Sequence, residues 1–188
     1  KEVWIIDVGS AKLATKPELF DVIVLENLYG DILSDVVAEM SGSIGLGGSA
    51  NIGDEYAMFE AIHGSAPRRA GQNIVNPTGL LLGAVLMLVH IKQHDVATKV
   101  HNAWLKTIED GIHTYDIFRE GVSKQKVKTS EFADAIIERI GQKPKQLKAL
   151  DYHPRQDKKI IAKKVTTSKE IKDLVGVDIF IDWNSGSA

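Results

Sequence analysis

The stretch Asn27-Leu28-Tyr29-Gly30-Asp31-Ile32-Leu33-Ser34-Asp35-Val36-Val37 decides how this chain is read. Before it, residues 20–25 (Phe-Asp-Val-Ile-Val-Leu) form a β-branched run of the buried-strand type. After Gly30, the residues Ile32, Leu33, Val36, Val37 and Met40 recur at helical spacing. They predict a helix over 31–41 with an apolar stripe turned inward. Strand, glycine turn and helix in that order point to an α/β fold, in which ligands gather beyond the strand ends. Asp31 and Asp35 stand at i and i+4 beside the stripe, so one helix face offers both carboxylates at a cleft edge. Hard divalent ions such as Mg²⁺ or Mn²⁺ take ligands of this kind. On spacing alone the pair is more often a solvated face; its place after strand and turn favours the metal.

Bulk properties set outer bounds. The chain has 188 residues, 44% hydrophobic and 26% charged, enough for a substantial core in one or two globular domains. A net charge of −2 gives no overall field toward nucleic acid, although residues 143–164 are basic. With no cysteine, disulfides, thiolate catalysis and cysteine zinc sites are excluded. The longest apolar run, residues 80–89, is about half a bilayer span and reads as a buried helix, so no membrane segment is expected and a cytoplasmic setting is compatible. The first residue is Lys1 and residues 3–6 already read as a buried strand, so the chain is expected to be part of something longer.

Residues 10–15 suit a short helix closed off by Pro17. Residues 41–53 are rich in glycine and serine, but Gly42-x-x-Gly45-x-Gly47 is not the dinucleotide fingerprint, and a close-packed turn region between two sheets is expected instead. Residues 58–62 read as a strand. Residues 78–91 are apolar nearly all round, which predicts a helix deeply buried or at a subunit interface. An amphipathic helix over 95–110 follows, and Thr129 or Ser130 is placed to cap another through Ile140, with Phe132, Ile136 and Ile140 facing in. A linker is expected near 143–158, and strands of a further unit at 160–161 and 177–183.

Between the strand and the apolar helix lies His63-Gly64-Ser65-Ala66-Pro67-Arg68-Arg69-Ala70-Gly71-Gln72-Asn73-Ile74-Val75-Asn76-Pro77. Two adjacent guanidinium groups beside a Gly-Ser-Ala backbone make a good anion cradle, and arginine binds phosphate bidentately. Taken alone, a surface loop with solvated arginines is the plainer reading. Asn76-Pro77 is a cap followed by proline at the first helical position.

Together these motifs resemble one family, the metal-dependent β-decarboxylating (isocitrate/isopropylmalate) dehydrogenases, over about residues 5–142. The resemblance rests on Asp7, Pro17, Phe20-Asp21, the segment 27–35, Ser49-Ala50-Asn51-Ile52-Gly53, the segment 59–67, Ala70-Gly71 and Asn76-Pro77. It implies a three-layer α/β fold distinct from the conventional Rossmann fold, here incomplete. Residues 1–41 would belong to the small domain, 42–142 to the large coenzyme domain, and 159–188 would begin an extra C-terminal α/β domain. It implies that Asp31 and Asp35 ligate the Mg²⁺ or Mn²⁺ of their own subunit, Asp31 serving in catalysis. Asp7 would be lent to the neighbouring subunit of a homodimer.

The same resemblance makes residues 63–76 the adenosine loop. His63, Gly64, Ser65, Ala66 and Asn76 would contact the coenzyme, Asn76 also capping the next helix. The position of Arg68 discriminates coenzymes: relatives using NAD carry an acid there, and relatives using NADP a base for the 2′-phosphate. Arg68, Arg69, Tyr115 and Arg119 therefore imply NADP, since a cation attracts a phosphate that an acid repels. Arg69 stands where an aromatic residue is often found. The implied activity is oxidative decarboxylation of isocitrate to 2-oxoglutarate and CO₂, a step of the tricarboxylic acid cycle. The substrate-binding serine, the arginine cluster and the acid–base tyrosine and lysine of the family lie upstream of these residues. Alternatives are a 3-isopropylmalate or homoisocitrate dehydrogenase, or a non-catalytic nucleotide-binding subunit.

Overall fold

The computed structural model describes residues 2–154. In chain order the elements are α1 (Ile6–Thr15), α2 (Asn27–Met40), β1 (Gly48–Ile52), β2 (Ala57–Ala61), α3 (Thr78–His90), α4 (His94–Glu109), β3 (Ile112–His113), β4 (Gln125–Lys126) and α5 (Thr129–Ile137). β1 and β2 form an antiparallel hairpin with Gly48 opposite Ala61, and β3 pairs with β4 in parallel, Ile112 opposite Gln125. α3 lies on the hairpin, α4 on α3, and α5 on α4.

Bare backbone on α3 makes the first of these contacts possible. A Cβ on Gly79 would sit 2.7 Å from the Gly47 carbonyl oxygen, and one on Gly83 would sit 2.9 Å from the Glu60 carbonyl oxygen. Glycine in a helix interior costs about 1 kcal/mol relative to alanine, and the close approach is what that cost supports here. Farther from the hairpin, Ala103, Val127, Phe132 and Ile136 form a buried cluster closed by Leu81, Trp104, Ile108 and Ile112. The Trp104 indole N–H donates to the buried Thr78 hydroxyl at 3.0 Å, so the largest ring at this junction leaves no polar atom unpaired.

Several expectations are corrected. Residues 3–6 and 20–25 are not strands: no described segment pairs with them, and a strand needs a hydrogen-bonding neighbour. Ile6 instead opens α1, which absorbs the helix expected at 10–15, and Val3, Val22 and Val24 are exposed. α2 begins at Asn27 rather than at Asp31, with Gly30 inside it, because the Gly30 N–H donates to Glu26 O at 2.8 Å and the helical ladder carries through. Its stripe is only partly covered: Ala38 is buried, while Ile32, Val36 and Met40 are exposed.

The glycine-rich region 41–53 splits in two. A 3-10 turn at Ile44–Leu46 is capped by Ser43, whose Oγ accepts the Gly45 N–H at 3.0 Å, and the remainder becomes strand β1. α3 is buried through Thr78, Gly79, Gly83 and Val85, but Leu80, Leu86 and Met87 on its outer side are exposed. α5 ends at Ile137, and Ile140 is half-exposed, since the chain turns out of the helix before reaching it.

Residues 145–152, expected as linker, are fastened along α4. The Glu109 carboxylate accepts the backbone N–H groups of Lys145, Gln146 and Leu147 at 2.7, 2.5 and 3.1 Å. Asn102 binds both backbone groups of Leu150, and Thr98 Oγ1 accepts the Tyr152 N–H at 3.0 Å. The Tyr152 hydroxyl and His101 Nδ1 lie 2.8 Å apart in a hydrogen bond; burial holds His101 below its ordinary pKa and Tyr152 above its own. The strands expected at 160–161 and 177–183 lie outside the described residues.

Candidate functional site

The site is built around residues 63–77, which leave β2 and return into α3. Ile62 is pinned to the hairpin by its N–H to Gly47 O at 3.1 Å. His63 Nδ1 lies 2.9 Å from Gly64 O; a carbonyl can only accept, so Nδ1 donates in this bond. Ala66 is in the left-handed region (φ 44°), which turns the chain into a 3-10 turn over Pro67–Arg69. The Arg69 N–H closes this turn on Ala66 O at 2.9 Å, and the Gln72 amide donates to Arg68 O at 2.7 Å. Residues 64–72 are exposed, so both guanidinium groups reach solvent.

The segment 114–119 lies beside this loop. Arg69 Nη1 donates to the Tyr115 hydroxyl, and its guanidinium carbon is 5.1 Å from the centroid of the same ring. Asn76 is 2% exposed, and both ends of its amide are engaged: Oδ1 accepts the Thr78 N–H at 3.0 Å and Nδ2 donates to Asp116 Oδ2 at 3.0 Å. Asp116 Oδ1 in turn accepts the hydroxyl of fully buried Thr114 at 2.6 Å. The capping bond expected of Asn76 is therefore present, made from two residues before Thr78, the first helical position.

Arg68 and Arg119 form no ion pair with any described residue. The loop thus presents Arg68 uncommitted and Arg69 bound to Tyr115, both exposed, while Arg119 is exposed at the end of the neighbouring segment; an anionic ligand suits these cations by charge. Lys126 adds a further positive charge, its ammonium 5.7 Å over the Phe118 ring.

The three aspartates are placed differently. Asp7 lies in the first turn of α1, with Oδ1 accepting the Val8 N–H at 2.6 Å. Asp31 and Asp35 occupy exposed positions one turn apart on α2. Among the described residues, no three His, Asp or Glu side chains gather in a metal-binding group. Asp31 and Asp35 alone offer a paired-oxygen face that suits a hard divalent ion as part of a larger ligand set. The neighbouring face of α2 lines an apolar cleft of about 510 Å³ with Leu13, Leu25, Leu33, Leu46 and Ile62, which holds no titratable side chain and offers nothing to such an ion.

Sequence reasoning missed two residues here. Asp116 lies between Tyr115 and Arg119 and carries no expected role, yet it locks Asn76 to Thr114. Asn73 lies in the stretch expected as a loop, and its left-handed backbone (φ 55°) is a conformation that asparagine tolerates better than most residues. The cap expected from Thr129 or Ser130 is in fact Asn73: its Oδ1 accepts the Ser130 N–H at 3.0 Å, and its carbonyl accepts the Thr129 N–H at 3.0 Å.

The β1–β2 hairpin, α3 and the arginine loop between them lie wholly within the stretch that one protein family's sequence profile matches. The sequence profile of the isocitrate/isopropylmalate dehydrogenases matches residues 2–136. The chain belongs to this family.

Among individual relatives, it is 59% identical to the NADP isocitrate dehydrogenase of Rickettsia bellii, a match that covers 100% of this chain and 39% of that protein. It is 41% identical to the NADP isocitrate dehydrogenase of Thermus thermophilus, over 96% of this chain and 36% of the relative. The 3-isopropylmalate/3-methylmalate dehydrogenase of Methanocaldococcus jannaschii is 42% identical, over 74% of this chain and 40% of the relative. The crystal structure of isocitrate dehydrogenase from Methylococcus capsulatus superposes with a TM-score of 0.69 at 41% identity, over 74% of this chain and 40% of that one. The chain thus spans about two fifths of the length of the curated relatives it matches. Among the described residues, no helix is long and apolar enough to cross a membrane.

Proposed function

We propose that this chain supplies the adenosine pocket and metal-ligating carboxylates of an NADP-dependent isocitrate dehydrogenase. Such an enzyme oxidises and decarboxylates isocitrate to 2-oxoglutarate and CO₂. The observation that carries the reading is the Arg69–Tyr115 contact, which ties the arginine loop to the segment ending at Arg119, with Arg68 and Arg119 free of ion pairs with described residues. A 2′-phosphate is the group that such a cluster selects, and NAD lacks it. The isocitrate assignment draws on the two curated relatives named NADP isocitrate dehydrogenase, which align through 96–100% of this chain at 41–59% identity.

In this reading His63 offers its ring to the adenine, and the tips of residues 64–66 bring backbone donors to the coenzyme. Asn76 holds the loop's return against Asp116. Asp31 and Asp35 would hold Mg²⁺ or Mn²⁺ with one carboxylate from a second subunit, and Asp7 would be the carboxylate lent in exchange. That ion, when bound, supplies Lewis-acid polarisation of a substrate oxygen. We assign residues 1–41 to the small domain, 42–142 to the coenzyme domain, and the assembly to a homodimer working in the cytoplasm.

The test is NADPH formation by the complete protein with isocitrate and Mg²⁺, run beside 3-isopropylmalate as substrate and NAD as coenzyme. Turnover of isopropylmalate alone would overturn the substrate assignment, and preference for NAD would overturn the phosphate assignment. Sedimentation of the complete protein tests the dimer.

A further inference from the structure

The arginine loop has two anchors behind its exposed tip. One is Asn76, whose amide is spent on Thr78 and Asp116. The other is Asn73, which reaches an element 57 positions later in sequence. Its Oδ1 accepts the Ser130 N–H at 3.0 Å, its Nδ2 donates to the Ser130 hydroxyl at 2.8 Å, and its carbonyl accepts the Thr129 N–H at 3.0 Å. The Thr129 hydroxyl adds a bond to Val75 O at 2.5 Å. These contacts use the otherwise unpaired N–H groups at the start of α5, a helix that Phe132 and Ile136 fix in the core. An exposed tip is thereby bolted to a core-anchored helix just four residues beyond Arg69.

We infer that Asn73 is a positioning residue for the coenzyme site. By docking the loop on the N-terminus of α5, it holds Arg68 and Arg69 where the 2′-phosphate arrives, so the loop need not be ordered at binding. The inference rests on the NADP reading above and extends it to a residue whose side chain is engaged by Ser130.

The test uses the complete protein with Asn73→Gly, which keeps the left-handed backbone accessible and removes only the bridge. Asn73→Asp retains the acceptor for the Ser130 N–H, and the Ser130 hydroxyl can turn to donate to it. Asn73→Gly is expected to raise KM for NADP about tenfold with a much smaller change in kcat. The KM for NAD should rise less, and Asn73→Asp should restore most of the loss. A lowered melting temperature with KM for NADP unchanged would reduce Asn73 to a helix cap and overturn the inference, as would equal rises for NAD and NADP.

Should Asn73→Gly fail to fold, Ser130→Ala removes the other half of the bridge and is expected to raise KM for NADP several-fold; an unchanged value there overturns the inference too. If the wild-type protein does not prefer NADP, the coenzyme reading falls by itself. Amide hydrogen exchange then still decides the docking: faster exchange over 64–72 in Asn73→Gly, with α3 unchanged, supports it, and unaltered exchange refutes it.

Discussion

The side-chain amide of Asn102 and the backbone of Leu150 exchange two hydrogen bonds, Nδ2 to the carbonyl at 2.7 Å and Oδ1 from the N–H at 2.9 Å. Asn102 is 1% exposed, so this amide imitates a strand partner inside the protein and gives residues 145–152 a fixed path along α4. Asn102→Ala leaves both Leu150 groups without their partner. An unsatisfied buried group costs about 1–3 kcal/mol, and a loss of that size is expected in urea unfolding. Amide exchange over 147–152 should accelerate; if it does not, Glu109 and Thr98 hold the segment unaided.

Glu109 fastens the same segment by charge. The backbone N–H of Gln146, then those of Leu147 and Lys145 together with the Lys106 ammonium, hold its carboxyl at about 2 against an ordinary 4.5. A depressed carboxylate stabilises the fold fully above its unfolded value and loses that contribution as pH falls toward its folded value. Asp110 is lowered in the same sense by Lys106 and then Arg139. Thermal unfolding from pH 5 down to pH 2 should therefore show a steep acid loss. Glu109→Gln should be less stable at neutral pH and should show a shallower loss; parallel curves would remove Glu109 from the account.

Gly79→Ala sets two effects against each other. Helix propensity favours alanine by about 1 kcal/mol, whereas overpacking costs about 1–3 kcal/mol. The added methyl would lie 2.7 Å from the Gly47 carbonyl oxygen, a backbone atom that cannot rotate aside. Overpacking should win, and the variant should unfold at lower denaturant than wild type. A gain in stability would show that α3 can lift from the hairpin without penalty.

Arg68→Asp places an acid where the phosphate is expected. Like charges in contact cost several kcal/mol, which corresponds to more than about 100-fold in affinity for NADP. NAD binding should change little, less than about threefold on the same scale. Titration of both coenzymes by intrinsic fluorescence decides it: equal losses would remove Arg68 from phosphate recognition.

Asp35→Asn alters an exposed position on α2, so unfolding should shift by no more than about 0.5 kcal/mol. The concentration of Mn²⁺ needed for half-maximal activity of the complete protein should rise at least several-fold, because an amide oxygen carries no formal charge. An unchanged metal requirement would return Asp35 to the role of a solvated helix residue.

What was legible in the sequence was local. The helical spacing of 31–41, the amphipathic run ending at Glu109, the strand before His63 and the Asn76-Pro77 cap all reappear in the structure, because each depends on neighbours three or four residues away or on a dihedral fixed by its own residue. The family resemblance carried the expectation of a coenzyme loop and of metal-ligating aspartates, since it rests on ordered motifs at fixed spacing.

The tertiary structure alone decided which expected strands pair and which residue caps α5. Residues 3–6 and 20–25 have strand composition, but composition cannot supply a hydrogen-bonding neighbour. The cap of α5 comes from Asn73 rather than from Thr129 or Ser130, and the strap on α4 from Glu109 and Asn102. These bonds join backbone groups to side chains distant in sequence, so no window of residues contains both partners. The pair Asp31 and Asp35 shows the same division: sequence places two carboxylates on one helix face, and only the packing of α2 leaves that face open.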